Sequence, residues 1–296
     1  EKTERILMLG PALAGERGDL IEHGVAGAVS TPAEAEAYQA EAERLGKKAR
    51  LHAVADTGMG RMGAVAGDLE ALVDRIRESP NLVLEGVASH LPSADEEPEF
   101  TRDQIARFKA QIESLGLAPS VRLHLANSAG LLGFARELGF TRLVRPGLAI
   151  FGVSPLPEFQ SRLRPALSLK SRITLVRELP EGATISYGRT CRTSRPTMAA
   201  TLGIGYGDGV PRSLSGRDAA VLIAGQRCPF LGRVTMDQIV VDVTDLKRPV
   251  HPGDEAVLIG SQGDEAISVI EVARKAGTIP WEIFTGITGR VRRVFL

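Results

Sequence analysis

The sequence predicts an α/β barrel of the (β/α)8 TIM type followed by a mainly β domain. In the first half, short β-branched or apolar runs alternate with amphipathic helical stretches, which is typical of parallel strands joined by helices. In the second half, strand-like runs dominate after a proline-rich stretch. We therefore expect a partial barrel domain over residues 1–153 and a C-terminal β domain over residues 154–296.

Six runs in the first half have the length and composition of barrel strands. They are Arg5–Leu9, Val25–Val29, Arg50–Val54, Leu82–Ser89, Val121–His124 and Leu143–Arg145. A closed barrel of this type has about eight strands, because an open sheet leaves two edges with unpaired backbone groups. Since the chain begins only a few residues before the first run, we expect the first two βα units to be missing upstream of Glu1.

Capping residues mark the helices between these strands. Thr31-Pro-Ala-Glu34 combines a capping box with proline at the first helical position, and Gly46 predicts the end of that helix. Thr101 predicts the start of a second helix, which Gly116 ends. The apolar face of this second helix consists of Ile105, Phe108, Ile112 and Leu115.

The second half predicts a separate β domain. The linker contains Pro155, Pro157 and Pro165. Beyond it, the predicted strands are an alternating run from Leu167 to Leu175, then Ala199–Ile204, Ala220–Ile223, Ile239–Val243 and Ala256–Ile259. One late helix is predicted from the N-cap Ser268 to Gly277, ahead of Pro280.

Composition limits the classes of function. The chain has 296 residues, 43% of them hydrophobic, with 36 basic and 36 acidic side chains. It has no long apolar run and no signal-peptide core at its start, so we expect a soluble cytoplasmic protein without a membrane partner. Cys191 and Cys228 show no metal-ligand spacing, and the balanced charge argues against a nucleic-acid partner. We expect a small-molecule ligand and no metal.

Residues that follow barrel strands deserve most attention, because active sites of these barrels lie at the carboxyl ends of the strands. The glycine-rich segment from Asp56 to Gly63 contains Arg61, a planar cation suited to a carboxylate. An ordinary glycine-rich turn is an equally good interpretation of this segment alone. His90 ends the fourth run, where a lone histidine is more often a hydrogen-bonded structural residue than a catalyst.

Two further segments predict a phosphate site. Asn127-Ser128 and Gly147-Leu148 flank the positions of strands seven and eight, where these barrels usually bind phosphate. Taken alone, Asn127 would only be an N-cap. Arg145 could form a plain salt bridge, but a guanidinium aimed into a barrel mouth is costly without a partner.

In the β domain, the run from Gly203 to Gly209 presents Tyr206 among glycines, which suits an exposed phenol better than a core strand. The alternative is a β-turn with a packing tyrosine. The run from Gly232 to Asp237 is equally unusual, although its Met236 would otherwise be an ordinary core residue.

In chain order, these motifs resemble those of the alanine racemase family. They are His90 with Ala94-Asp95, His124-Leu-Ala-Asn-Ser-Ala129, Arg145-Pro-Gly147, Gly205-Tyr-Gly-Asp-Gly209, Gly232-Arg-Val-Thr-Met-Asp237, Pro280-Trp-Glu and Arg290-Val-Arg-Arg-Val-Phe295. The resemblance covers essentially the whole chain. It implies a barrel that binds pyridoxal 5′-phosphate (PLP), a homodimer with shared active sites, and interconversion of L- and D-alanine for peptidoglycan synthesis.

The resemblance also implies a role for each candidate residue. A Schiff-base lysine and Tyr206 of the partner subunit would act as the two bases, while His90 would hydrogen-bond the phenol. Arg145 would hold the pyridine nitrogen of PLP unprotonated. The phosphate would be held by Asn127, Ser128, Gly147 and Leu148. The substrate carboxylate would meet Arg61 and the loop of Met236 and Asp237, and Tyr187 would line the access path.

The sequence departs from the family pattern in three places. The lysine motif is absent, so we expect an N-terminally truncated chain that does not racemise alanine by itself. Val54 stands where many members have a carbamylated lysine, so Arg61 is supported by another group or anion, or binds substrate weakly. Gly289 stands where members often have a tyrosine, which allows a wider pocket.

Two alternatives therefore stay open beside an alanine racemase. One is an amino-acid racemase of broader specificity, and the other is a non-catalytic PLP-binding protein on the same scaffold. The combination of Tyr206, His90 and Arg145 favours an enzyme, because a protein that only binds PLP has no need of a second base.

Overall fold

The computed structural model describes residues 5–65 and 67–295. The chain divides into two compact units, residues 1–164 and residues 165–296. No helix among the described residues is long and apolar enough to cross a membrane.

The first unit contains a parallel sheet whose strands pair in chain order. They are β1 (Leu7–Met8), β2 (Ala26–Val29), β3 (Ala49–Val54), β4 (Leu82–Ala88) and β5 (Arg122–His124). The helices of this unit are α1 (Arg17–Glu22), α2 (Pro32–Arg44), α3 (Asp68–Glu78), α4 (Pro98–Ser114) and α5 (Ser128–Gly133). This half-barrel arrangement confirms the predicted α/β architecture, whereas two further units upstream stay a prediction.

Local sequence accounts for the helices that were predicted well. In α2 the Thr31 hydroxyl accepts a hydrogen bond from the Glu34 amide at 3.2 Å, and the Glu34 carboxylate accepts one from the Thr31 amide at 3.2 Å. The helices α3 and α4 then bury apolar faces against the sheet, including the fully buried Leu72 and Phe108. Each such side chain contributes about 2 kcal/mol through burial.

Two predicted elements of the first unit were wrong. Leu143–Arg145 forms no strand, because only one isolated parallel bridge joins Leu143 to His124. The helix predicted from Thr101 begins at Pro98, since proline at the first helical position loses no hydrogen bond. Thr101 therefore lies inside the first turn, where its hydroxyl donates to the Glu97 carbonyl at 2.9 Å.

The second unit is mainly β, as predicted, and the strands of its main sheet pair antiparallel. Its main sheet contains β6 (Leu169–Leu179), β9 (Thr197–Leu202), β10 (Ala220–Ile223), β11 (Gln226–Pro229), β12 (Ile239–Asp242), β13 (Glu255–Gln262) and β14 (Glu265–Ile267). A separate hairpin joins β7 (Thr184–Ile185) to β8 (Cys191–Arg192), and two helices follow, α6 (Val269–Ala276) and α7 (Pro280–Gly286). The predicted caps of α6 are confirmed, because the Ser268 hydroxyl accepts from Glu271 and Gly277 is left-handed.

Candidate active site

An open cavity in the first unit gathers side chains from several strands and from the segments that follow them. Arg61, His90 and Arg145, which the sequence marked as candidates, all line it. His52, Val54 and His124 line it as well. The sheet therefore brings the three candidate residues of the barrel mouth to one place.

Arg145 is the best-connected cation of this cavity. Its Nη2 donates to the Ser89 carbonyl at 2.6 Å and to His90 Nδ1 at 3.2 Å, while Nη1 donates to His124 Nδ1. No carboxylate forms an ion pair with Arg145 in the ranges 5–65 and 67–295. Burial lowers the pKa of Arg145 to about 10, so the guanidinium stays charged at neutral pH. It is a partly buried cation whose protein partners are all neutral acceptors.

His90 is a neutral imidazole with one free donor. Burial, followed by the charges of Arg145 and Arg61, lowers the pKa of His90 to about 4. Because a guanidinium only donates, His90 Nδ1 must accept from Arg145 and its proton lies on Nε2. The Nε2–H group can therefore donate a hydrogen bond to an anionic or neutral oxygen.

Two further histidines in the cavity had no role assigned from the motifs. His52 Nδ1 lies 2.7 Å from His124 Nε2, and both side chains are almost completely buried. Burial is the main cause that lowers the pKa of His52 to about 4 and that of His124 to about 2. The sequence signal that could have identified His52 is its position as a polar residue in the otherwise apolar part of β3.

The predicted phosphate segments lie next to each other. The Ser128 hydroxyl accepts from the amides of Gly147 and Ala149, each at 3.1 Å. Asn127 caps α5, because its Oδ1 accepts from the Gly130 amide at 2.9 Å. A side chain at Gly147 would meet no atom within 4 Å, so there is open space beside this backbone, whereas Leu148 is 1% exposed.

The glycine-rich turn before Arg61 is organised by Asp56. Its Oδ1 accepts hydrogen bonds from the amides of Gly58, Met59 and Gly60 at 2.9, 2.9 and 3.1 Å. Arg61 is exposed and forms no ion pair within the described part of the chain. Its guanidinium is therefore free to meet a carboxylate.

In the second unit, the two unusual glycine-rich loops are paired through their backbones. The Tyr206 amide donates to the Thr235 carbonyl at 2.9 Å, and the Gly207 amide donates to the Met236 carbonyl at 2.8 Å. A side chain at Gly205 would overlap Thr235, so the close approach requires glycine. Tyr206 and Met236 remain 40% and 51% exposed.

An arginine from the C-terminal motif, to which the resemblance assigned no role, joins the same loops. Arg290 lies 2.5 Å from the Asp237 carboxylate through Nη2 and 3.2 Å from the Asp208 carboxylate through Nε. Asp237 is therefore engaged within its own unit. Sequence could not reveal this, because Arg290 and Asp237 are 53 residues apart.

Tyr187 lies in a third loop of the second unit and is 71% exposed. Ser186 before it adopts φ +62°, and its hydroxyl donates to the Arg233 carbonyl at 2.7 Å. The loops at Tyr187, Tyr206 and Met236 are thus linked to one another within the second unit.

Comparisons with known proteins point to one family. A family model described as the N-terminal domain of alanine racemase matches residues 1–155, and one for the C-terminal domain matches residues 166–295. The alanine racemase of Symbiobacterium thermophilum is 42% identical over an alignment of 296 positions, which covers 98% of this chain and 77% of the relative. That of Deinococcus radiodurans is 42% identical over 97% of this chain and 77% of the relative.

Solved structures that resemble this chain are also alanine racemases. The alanine racemase of Bacillus anthracis with bound L-Ala-P has a TM-score of 0.88 and 36% identity, covering 99% of this chain and 76% of that structure. The alanine racemase of the D-cycloserine producer Streptomyces lavendulae has a TM-score of 0.88 and 35% identity, covering 99% and 78%.

Proposed function

Because the chain belongs to the alanine racemase family of PLP-dependent isomerases, we propose that its two groups of candidate residues serve the interconversion of L-alanine and D-alanine. The observation that carries this proposal is the Arg145 guanidinium, a charged donor in a cavity without a carboxylate to neutralise it. Family membership also leads us to propose a cytoplasmic homodimer with shared active sites that supplies D-alanine for peptidoglycan.

The cavity residues suit PLP. When bound, the cofactor supplies an electron-withdrawing ring that acidifies the α-proton of the amino acid. Arg145 would donate to the pyridine nitrogen and, since a guanidinium scarcely releases a proton, would keep that nitrogen unprotonated. The phosphate would meet Ser128 and the backbone beside Gly147, with Asn127 and Leu148 fixing the two segments.

The remaining candidates would handle the substrate. Arg61 would hold the amino-acid carboxylate, and the backbone of Met236 with the adjoining Asp237 would complete this contact from the partner subunit. His90, which carries its proton on Nε2, would donate to the phenol oxygen of Tyr206 of the partner subunit. A hydrogen bond of this kind stabilises the phenolate and makes the phenol a competent base. Tyr187 would line the access path.

A cofactor-linked lysine is the part that this proposal does not assign. The residues that line the cavity in the described part of the chain include no lysine. We therefore expect that the purified chain with added PLP shows no racemisation of L-alanine above PLP alone, measured by chiral chromatography. Robust racemisation would contradict this expectation.

Ligand binding tests the site independently of that lysine. The reduced conjugate N-(5′-phosphopyridoxyl)-alanine carries ring, phosphate and carboxylate, and calorimetry can measure its affinity for the chain. Arg145→Ala should weaken binding by about tenfold or more, since a charged hydrogen bond is lost. Arg142→Ala, on the same segment but exposed, is the control and should bind like the original chain. Equal binding by both variants would refute the assignment.

Broader specificity is the second candidate, and one observation favours it. Gly289 has no atom within 4 Å of the position of a side chain, where many family members have a tyrosine. The pocket would then accept larger amino acids, so phosphopyridoxyl conjugates of serine and lysine should bind within about tenfold of the alanine conjugate. Strict preference for the alanine conjugate would exclude this candidate.

A further inference from the structure

The buried pair of His52 and His124 spans three neighbouring strands. His52 lies in β3 and His124 at the end of β5, and their rings meet edge-on with centroids 4.9 Å apart. Gly86 of β4, which pairs with His52, lies between them. A side chain at Gly86 would overlap the His52 imidazole, so the absence of a Cβ makes this contact possible.

The hydrogen bonds that join Arg145, His124 and His52 allow only one arrangement of protons on the two imidazoles. Arg145 can only donate, so His124 Nδ1 accepts and the proton of His124 lies on Nε2. That proton must be donated to His52 Nδ1, which places the proton of His52 on its own Nε2. Both imidazoles are therefore neutral, each with a fixed tautomer.

The surroundings keep both rings in this state. Burial opposes the charged form of each ring, and it is the largest cause of their lowered pKa values. Arg145 and Arg122 oppose protonation of both rings, and Arg50 opposes that of His52. Glu85 alone favours protonated His52, and three arginines already engage it.

Loss of the acceptor on His52 would disturb Arg145. The buried Nε2–H of His124 would then have no partner, which is costly for a polar group. The other tautomer of His124 would satisfy neither side, because it would turn an N–H group towards the Arg145 guanidinium. The imidazole would have to rotate, and Arg145 would lose one of its three acceptors.

We propose that His52 is a positioning residue, which sets the tautomer and orientation of His124 and through it holds Arg145 in the cavity. It touches neither cofactor nor substrate in this role. The link from Arg145 to ligand binding rests on the proposed function, whereas the tautomers of His52 and His124 do not depend on it.

Nitrogen NMR of the imidazoles tests the proposal directly. The chain has five histidines, so single substitutions assign their signals in a long-range proton–nitrogen spectrum of ¹⁵N-labelled protein. We expect His52 and His124 to show the neutral pattern with the proton on Nε2. A proton on Nδ1 of either ring would overturn the proposal, whatever the behaviour of any variant.

Two substitutions at His52 separate positioning from bulk packing. Asn offers an oxygen close to the place of Nδ1, whereas Leu fills the space without an acceptor. His52→Leu should change the His124 nitrogen pattern and weaken binding of the phosphopyridoxyl-alanine conjugate about tenfold. His52→Asn should restore both to near the original values, and exposed His251→Asn should change neither.

The outcomes distinguish this proposal from the proposed function. An unchanged His124 pattern in His52→Leu, or equal loss in the Asn and Leu variants, would refute positioning by His52. If the original chain fails to bind the conjugate, the proposed function fails, and the tautomer pattern still decides the role of His52.

Discussion

The two units fix their candidate residues by opposite means. In the first, Arg145 is a partly buried cation whose protein partners are neutral, including His90 and His124. In the second, Arg290 is an exposed cation between two carboxylates, Asp208 and Asp237. A buried charge without a counter-ion is costly, so the first arrangement indicates a ligand site. The second neutralises its charges internally and serves to hold loops.

The largest expected difference between the two units is in how much acid lowers their stability. The pKa of His52 is lowered to about 4 and that of His124 to about 2, from 6.5 in the unfolded chain. Below pH 6.5 the unfolded state therefore binds more protons than the folded state. The stability that these two groups contribute is thus fully present above this pH and decreases as the pH falls. Between neutral pH and about pH 5, this pair of histidines should lower the free energy of unfolding of the first unit by on the order of 4 kcal/mol.

Urea unfolding at neutral and acidic pH can follow each unit separately. The single tryptophan, Trp281, lies in α7 and reports on the second unit by fluorescence. Far-ultraviolet circular dichroism reports mainly on α1 to α5 of the first unit. Acid should lower the urea midpoint seen by dichroism more than the midpoint seen by fluorescence. The control variant His251→Asn, which removes an exposed histidine of the second unit, should show the same difference. Equal shifts of both midpoints would break the contrast between the units.

The fold was predictable where local rules decide it. The caps of α2 and α6 were correct because a side chain and an amide three residues later meet in any context. The start of α4 was missed because Pro98 and Thr101 both suit a helix start, and the helix begins at Pro98, where proline loses no hydrogen bond. Leu143 has the composition of a strand, but pairing requires a partner that composition cannot supply.

Glycine substitutions should have the next largest effect and apply to both units alike. Gly86→Ala would crowd His52 and lie 2.8 Å from the Arg122 carbonyl, while Gly205→Ala would overlap Thr235. Each should destabilise its own unit by about 2 kcal/mol, because the neighbours include backbone that cannot move aside. Dichroism should detect the first change and Trp281 fluorescence the second.

Gly15→Ala provides the control for these substitutions, since its side chain would meet no atom within 4 Å. It should leave both midpoints unchanged. If Gly86→Ala were as harmless as Gly15→Ala, the close meeting of His52 and His124 across β4 would not need glycine, and this feature of the first unit would lose its explanation.

Candidate residues inside motifs were easier to find than the groups that hold them. His90, Arg145 and Tyr206 stand at strand ends or among glycines, where local sequence is unusual. His52 lies within a strand and meets His124 72 residues later. Such pairs depend on strand register and loop packing, which one sequence does not encode in any short pattern.

The smallest effect should come from Arg290→Gln, which tests whether exposed charges fix the Tyr206 loop. The Gly207 amide is bonded to Met236, and the Thr288 hydroxyl donates to the Gly207 carbonyl at 2.9 Å. Removing the ion pairs should speed hydrogen exchange at Gly207 severalfold at low salt, because exposed pairs add little to global stability but restrict local opening.

High salt should reduce this difference, since salt screens exposed charges. Arg292→Gln is the matched control, because Arg292 is exposed nearby and forms no ion pair within residues 5–65 and 67–295. A salt-independent effect, or an equal effect of both variants, would mean that the backbone bonds alone hold the loop. The second unit would then position Tyr206 without using charge, and the contrast with Arg145 would become one between buried charge and glycine packing.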